Sequence, residues 1–282
     1  MEKSNDIFKK NLSLAESKAV LWQKLRMHQF TEALTYNQPD ESPGEIGAYY
    51  CSLCGLAETT ENLCTTEFAM FCHQLTKQYG VNLSQLTEAP EEPYTVNCNT
   101  AYMQNSYSDK AYGLFSKKIP GMTAEYYPGF AEACEEVYDN QCKYVILPLY
   151  TSTDGRLISF QKLIAKYDLK IRMTAEINLP EENTMHFALL RRGIVISDNH
   201  EFMDITLVLP EEIPIGRFLG ACESLGAVTR TINTIPLTYA DEIKEFCIHF
   251  QTEKADIEAL MLFFEASQIR YTVDGIYSLI RN

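Results

Sequence analysis

The sequence predicts a mixed α/β and α+β chain in three parts, on three observations. Apolar residues recur at helical spacing in the first ninety residues or so, strand and helix patterns alternate from Thr95, and a β-α-β-β-α-β order fills about the last eighty. The expected domains are a helical one over residues 1–90, an α/β one over 94–196 and a ferredoxin-like one over 201–282.

In the first part, Ser13 and Glu16 form a capping box ahead of Leu14, Leu21 and Leu25, so a first helix is expected to run to about Tyr36. Ser42-Pro43-Gly44-Glu45 supplies an N-cap, a first-turn proline and an early acid for a second helix through Cys54. Phe68, Phe71 and Leu75 mark a third, ending near Gly80. Cys51 and Cys54, with Cys64, Cys72 and His73 further on, have partial zinc-knuckle spacing, but the second pair is eight residues apart. Packing on a buried helix face is the expected role, and no metal is expected. Glu88 to Pro93 reads as a linker.

From Thr95 an extended run to Met103 precedes a helix from Ser108, then an extended Thr123–Tyr127 and a helix with Phe130, Ala133, Cys134 and Val137. Tyr144 to Leu147, bounded by Pro148, reads as a strand buried on both faces that stops at a cleft mouth. Behind the proline stand the hydroxyls of Tyr150, Thr151, Ser152 and Thr153, then Asp154-Gly155. Near a helix start such groups can hold a carboxylate or phosphate; an ordinary capped loop is the alternative. A helix with Leu157, Phe160 and Ile164 follows, and Leu169 to Ile177 alternates cleanly, predicting a strand with one wet side. Thr184 to Leu190 is another strand, with His186 opposite Met185, Phe187 and Leu189. The last part reads as a strand (Ile205, Leu207, Leu209), a helix stopped by Gly226, two strands around 237–242, a helix (Ile257, Leu260, Met261, Phe264) and a strand from Tyr271.

With 282 residues, 46% of them hydrophobic, the chain can build two or three modest cores. A formal charge of −14 argues against a broad nucleic-acid surface. The start has no signal-like apolar core and no stretch approaches the roughly 18 apolar residues of a membrane span, so a soluble, cytoplasmic protein is expected. Nine scattered cysteines predict reduced thiols rather than a disulfide framework.

Tyr107-Ser108 after an opening strand, Tyr127-Pro128-Gly129-Phe130 before a helix, the Pro148–Gly155 loop, and Tyr167-Asp168-Leu169-Lys170-Ile171 leading to Glu176-Ile177 and Leu179-Pro180 together resemble prephenate dehydratase. The last eighty or so residues resemble the ACT domain that follows that enzyme and usually senses phenylalanine. The resemblance implies one periplasmic-binding-protein-like α/β lobe, with the second lobe largely missing between the loop and its apparent return. The domain order is that of fusions in which a three-helix chorismate mutase comes first, but Lys18, Lys24 and Arg26 lack that enzyme's spacing.

Departures from the family accompany the matches. The family's Glu-Asn-Ser falls on Tyr150, Thr151 and Ser152, and its Thr-Arg-Phe falls near Thr184, Met185, His186 and Phe187, with an imidazole where a bidentate cation belongs. His186 also reads simply as a polar-face strand residue. The sensor motifs fall near Gly216 and on Asn233-Thr234-Ile235-Pro236, where only the proline matches. By this resemblance Ser152, Thr184 and His186 are the expected catalytic residues, Ser108, Tyr150, Thr151 and Thr153 the expected substrate contacts, and Gly216, Asn233 and Thr234 the regulatory-ligand residues. The expected function is a prephenate dehydratase-like protein of phenylalanine biosynthesis whose catalysis is in doubt, or a non-catalytic amino-acid sensor. No cofactor is expected, and the partners are a small carboxylate or aromatic amino acid. Phe246, Ile248, Phe250, Leu260 and Phe264 exceed what one small core can hide, which predicts a homodimer through residues 202–279.

Overall fold

The computed structural model describes residues 28, 43–79, 98–153, 155–178, 184–196, 199–236 and 244–281. The first expected helix, apart from His28, and the Glu88–Pro93 linker lie outside them. The described chain opens with helices α1 (Pro43–Cys54), α2 (Thr60–Leu63) and α3 (Thr66–Tyr79). Then come β1 (Cys98–Met103), α4 (Ser106–Ser116), β2 (Met122–Tyr127), α5 (Phe130–Tyr138), β3 (Tyr144–Thr151), β4 (Gly155–Arg156), α6 (Ile158–Lys166), β5 (Leu169–Asn178) and β6 (Thr184–Arg192). The remainder is β7 (Phe202–Val208), α7 (Ile215–Ser224), β8 (Val228–Pro236), β9 (Lys244–Gln251), α8 (Ile257–Ala266), β10 (Arg270–Tyr277) and β11 (Leu279–Ile280). No helix among the described residues is long and apolar enough to cross a membrane.

The chain divides into two compact units, one of residues 1–81, 210–226 and 256–269, the other of 82–209, 227–255 and 270–282. The first is helical. Its core is aromatic: Phe68 on α3 lies 4.8 Å from Tyr50 and 6.2 Å from Phe263 on α8, and Phe218 on α7 lies 6.0 Å from Phe263. Asp256 joins two of its helices, one carboxylate oxygen capping α8 at the amide of Ala259 (3.0 Å) and the other 2.7 Å from Nδ1 of His73 on α3. Thus α7 and α8 find apolar partners in α3 of the same chain. The premise that a second copy must cover the apolar residues is corrected: Leu260 and Phe264 on α8 and Ile248 and Phe250 on β9 are fully buried within the chain, and Phe246 on β9 is half-buried. Cys51, Cys64 and Cys72 are buried here, and burial pushes the Cys64 thiol up to about 12. Among the described residues no group of three His, Cys, Asp or Glu side chains could hold a metal ion.

In the second unit the eleven described strands form one sheet in the order β2-β1-β3-β6-β5-β10-β7-β9-β8, with β11 beside β5 and β4 beside β3. Strands β1, β2 and β3 are parallel, and β6 then runs antiparallel to both β3 and β5. Helices α5 and α6 cover one face, where Ala133, Cys134, Val137 and Ile164 meet Val145, Leu147 and Leu190. Helix α4 covers the other, where Ala111 and Phe115 meet Tyr102, Ile146, Phe187 and Leu189. Asn105 starts α4 by accepting from the amides of Tyr107 and Ser108 at 3.0 and 2.9 Å.

The alternation along β5 does not produce one dry and one wet side. Ile171 pairs with Leu190 and Met173 with Leu189, so Arg172 is an extra residue, and the bulge moves the odd-numbered side chains across the sheet. Leu169 and Ile171 pack on the α5/α6 face, while Met173, Ala175 and Ile177 pack on the α4 face. Strand β3 likewise runs past the expected stop at Pro148. Its register steps from Pro148 opposite Phe187 to Tyr150 opposite His186, leaving Leu149 as the inserted residue. A residue without an N–H is tolerated beside such a bulge.

Candidate functional site

The bulge in β3 and the hairpin after it build the site. Strand β4 pairs back on the end of β3, with Thr151 opposite Gly155, whose φ of 69° is a left-handed position that suits glycine. The hairpin sets Arg156 opposite Tyr150, and Tyr150 sits across from His186 with its ring edge-on at 5.5 Å between centroids. The chain therefore turns back before α6 begins, and the loop hydroxyls do not sit at a helix start. Ser152 instead pairs with the beginning of β6: its amide donates to the Thr184 carbonyl and its Oγ accepts from the Thr184 amide, both at 2.9 Å. Thr151 is buried with its Oγ1 3.3 Å from that of Thr153.

A cavity of about 450 Å³ opens beside this hairpin, lined by Tyr150, Arg156, Thr174 and His186 and by Phe202, Asp204, Thr231, Asn233, His249 and Tyr277. Asp204, itself buried, is among its lining residues. On β7, Met203, Ile205 and Leu207 are buried, and alternation puts Phe202, Asp204 and Thr206 on the opposite face. One Asp204 oxygen lies 3.2 Å from Arg156 Nη2 and the other 2.5 Å from His249 Nδ1. The Tyr277 hydroxyl is 3.4 Å from the same nitrogen, and the rings of Phe202 and His249 stack at 5.0 Å. With its amide oxygen turned inward, Gln161 accepts from Arg156 Nε at 2.7 Å.

Charge in the site is largely balanced internally. Burial alone would raise the Asp204 carboxyl, but the Arg156 guanidinium and His249 hold it below the usual carboxylate range. Burial likewise opposes the charge on Arg156, while Asp204 and then Asp274 raise its affinity for the proton. Asp274, the bulged residue of β10, accepts from Thr206 Oγ1 at 2.7 Å, and burial lifts its carboxyl to about 6. It faces a second cavity of about 310 Å³ on the other side of Arg156, lined also by Lys170, Glu245 and Cys247. Burial pushes Tyr277 well up, with Asp204 adding to it, and lowers His186 against the pull of Glu176, 4.0 Å away.

Of the residues expected from sequence, Tyr150, His186 and Asn233 line the cavity, although they were assigned to substrate contact, catalysis and regulation respectively. Ser152, Thr151, Thr153 and Thr184 belong to the hairpin and its pairing with β6, and do not line it. Ser108 is fully buried with its Oγ 2.8 Å from the capping Asn105, Thr234 pairs with Phe246 on the β8–β9 ladder, and Gly216 lies in α7 of the helical unit. Sequence reasoning missed Arg156, Asp204, His249 and Tyr277. The available signal was Asp204, an acid inside the largely apolar strand Phe202–Val208, since a buried strand carboxylate requires a counter-ion.

No family model matches the chain, and no curated protein matches it. Solved structures do. The prephenate dehydratase of Streptococcus mutans superposes with a TM-score of 0.53 at 19% identity, covering 65% of this chain and 99% of that one. The structure described as GqqA, a novel type of quorum quenching acylase, gives 0.50 at 18% identity, covering 64% and 94%. The prephenate dehydratase of Arthrobacter aurescens, in complex with L-Phe, gives 0.50 at 12% identity, covering 64% and 90%. At these identities the likeness is one of fold, and the fold of this chain is prephenate dehydratase-like.

Proposed function

We propose that this chain is a prephenate dehydratase-like protein of aromatic amino acid metabolism whose cavity binds a small aromatic carboxylate, with dehydratase turnover weak or lost. The observation that carries the reading is the Arg156–Asp204 pair set among the rings of Tyr150, His186, Phe202, His249 and Tyr277. A cavity of about 450 Å³ suits a single-ring ligand, and Arg156 is the cation available for its carboxylate. Prephenate carries two carboxylates. Here Asp204 already neutralises the guanidinium, Asp274 adds further negative charge and His186 is mostly neutral, so among the described residues of the lining a second carboxylate finds no counter-ion. An aromatic amino acid fits that balance better, its carboxylate meeting Arg156 and its ammonium Asp204. This favours the second reading, a non-catalytic amino-acid sensor, and the complex of the Arthrobacter aurescens neighbour with L-Phe accords with it.

In this proposal the sheet order β10-β7-β9-β8, with α7 and α8 between the strands in sequence, is an ACT-like domain of residues 201–282 behind a reduced α/β lobe of residues 94–196 and a helical domain of residues 1–90. Two copies pair through the edge strand β8, where Val228 is 50% and Ile232 41% exposed. Two measurements on purified protein test the function: phenylpyruvate formation from prephenate, and calorimetric titration with L-phenylalanine and L-tyrosine. Saturable binding of an aromatic amino acid with turnover at the spontaneous background supports the sensor. Turnover well above background restores the enzyme, and neither binding nor turnover sinks both.

A further inference from the structure

We propose that the cavity is also an acid–base centre, in which His249 moves a proton on a bound aryl 2-oxo acid and Asp204 is its positioning residue. This rests on the reading that the cavity takes a small aromatic carboxylate, and it adds an activity to that binding.

Asp204 already has a counter-ion in Arg156, yet its second oxygen lies 2.5 Å from His249 Nδ1. Against an ionised carboxylate Nδ1 carries the hydrogen, so in the neutral ring the lone pair is on Nε2. Among the described residues Nε2 of His249 has no hydrogen-bond partner, and the side chain lines the cavity. The ring is further held by the stack on Phe202, 20° from parallel. Burial keeps His186 mostly neutral, so it can offer an N–H without carrying a charge, and Tyr150 offers a phenol from the same wall. A buried acid satisfied by two neighbours would be structural bookkeeping alone if the histidine pointed into packed core. Here the far side of the ring meets a cavity that also holds a cation and two neutral donors. An oriented base and a neutral imidazole donor are the elements of proton abstraction next to a carbonyl.

The step balances without any cofactor. With the ligand carboxylate at Arg156, His249 Nε2 takes a proton from the methylene carbon between the ring and the carbonyl. The C–H electron pair becomes the C=C bond and the carbonyl π pair moves to oxygen, which the N–H of His186 and the O–H of Tyr150 stabilise. The imidazolium then returns its proton to that oxygen, giving the enol. One proton has moved from carbon to oxygen, and reversal in D2O leaves deuterium on the carbon.

The test uses the full chain with phenylpyruvate, following loss of the methylene proton signal in D2O and measuring affinity separately by calorimetry. Exchange should exceed the buffer rate by on the order of 100-fold. His249→Gln should return it to the buffer rate even at phenylpyruvate concentrations that calorimetry shows to saturate the variant, as expected for a group acting on the proton. Asp204→Asn should abolish the low-field Nδ1–H resonance and lower the maximal rate more than it raises the half-saturating concentration. If that buried variant does not fold, the His249→Gln comparison decides alone. Binding without exchange above buffer overturns the acid–base proposal and leaves the binding reading standing. Exchange that survives in His249→Gln also overturns it, and no binding at all overturns the binding reading on which it rests.

Discussion

Gly275 on β10 lies against Ile171 on β5 so closely that a Cβ built on the glycine would sit 2.6 Å from the Ile171 Cβ and 2.7 Å from its carbonyl oxygen. This is also the paired position of the parallel β5–β10 contact, through which the strands of the last eighty or so residues join the α/β sheet. The bulges at Arg172 and Asp274 flank it on the two strands. Strands that each change register here can meet only where one side chain is missing.

Gly275→Ala should therefore destabilise the chain by about 1–3 kcal/mol, the usual cost of forcing an extra carbon into a packed site. Because the obstruction is the Cβ and backbone of Ile171, trimming that residue to valine or alanine should not rescue the variant. Denaturant unfolding of the single and double variants checks both statements; rescue by Ile171→Ala would place the contact elsewhere.

The elements were largely legible in the sequence, and the site was not. Local pattern marks a helix such as α3 or a strand such as β6, since Phe68, Phe71 and Leu75 or Met185, Phe187 and Leu189 lie within a few residues of one another. A bulge leaves no comparable mark: Leu169 to Ile177 alternates perfectly, yet the extra residue at Arg172 sends the two halves to opposite faces. The hydroxyl run after Pro148 pointed to the right hairpin and, Tyr150 apart, the wrong atoms, since pairing with β6 occupies Ser152 while Arg156 on β4 reaches the cavity. Asp204, His249 and Tyr277 meet Arg156 only through long-range strand pairing, which no spacing rule contains.

Asp274 makes a prediction about pH. Its folded carboxyl titrates at about 6, against about 3.9 for an unfolded aspartate. A raised acid is favourable to folding while protonated in the native state, and that advantage is lost as pH rises from about 4 through 6. Asp274→Asn should thus gain stability relative to the parent between pH 4.5 and 7.5, by on the order of 2–3 kcal/mol at the upper end. Comparing the two proteins at each pH cancels His186, whose lowered pKa costs both of them stability as pH falls below about 6.5. An unchanged difference across that range would show that the Asp274 carboxyl is not raised.

The start of α4 separates two roles. Asn105 Oδ1 accepts from the amides of Tyr107 and Ser108, and its Nδ2 donates to Ser108 Oγ at 2.8 Å. Asn105→Ala removes the cap and should cost about 1–2 kcal/mol, whereas Ser108→Ala keeps it and should cost less. Thermal unfolding of the two variants, with helix content followed by circular dichroism, orders them. The reverse order would assign the cap to the serine.

The Arg156–Asp204 pair tests whether the centre of the site acts as a unit. The side chains are 13% and 4% exposed, so removing one partner strands a charge that water cannot reach. Arg156→Met leaves the Asp204 carboxylate with His249 and the Tyr277 hydroxyl but no guanidinium, and should cost about 3–5 kcal/mol at neutral pH. Asp204→Leu leaves Arg156 without its directly paired carboxylate, and should be similarly costly. The double variant replaces both charges by apolar groups of comparable bulk, and should be more stable than the sum of the single changes by about 1–3 kcal/mol. The sign with pH follows from Asp204. Its lowered carboxyl stabilises the parent above the unfolded value and loses that effect as pH falls through the folded value. Without Arg156 the buried carboxyl rises instead and takes up a proton in mild acid, so the deficit of Arg156→Met should shrink as pH falls from 7 towards 4. Urea unfolding of the four proteins at both pH values measures the coupling and its pH dependence. Additive single changes, or a deficit that grows in acid, would mean that Asp204 draws its charge balance from another group.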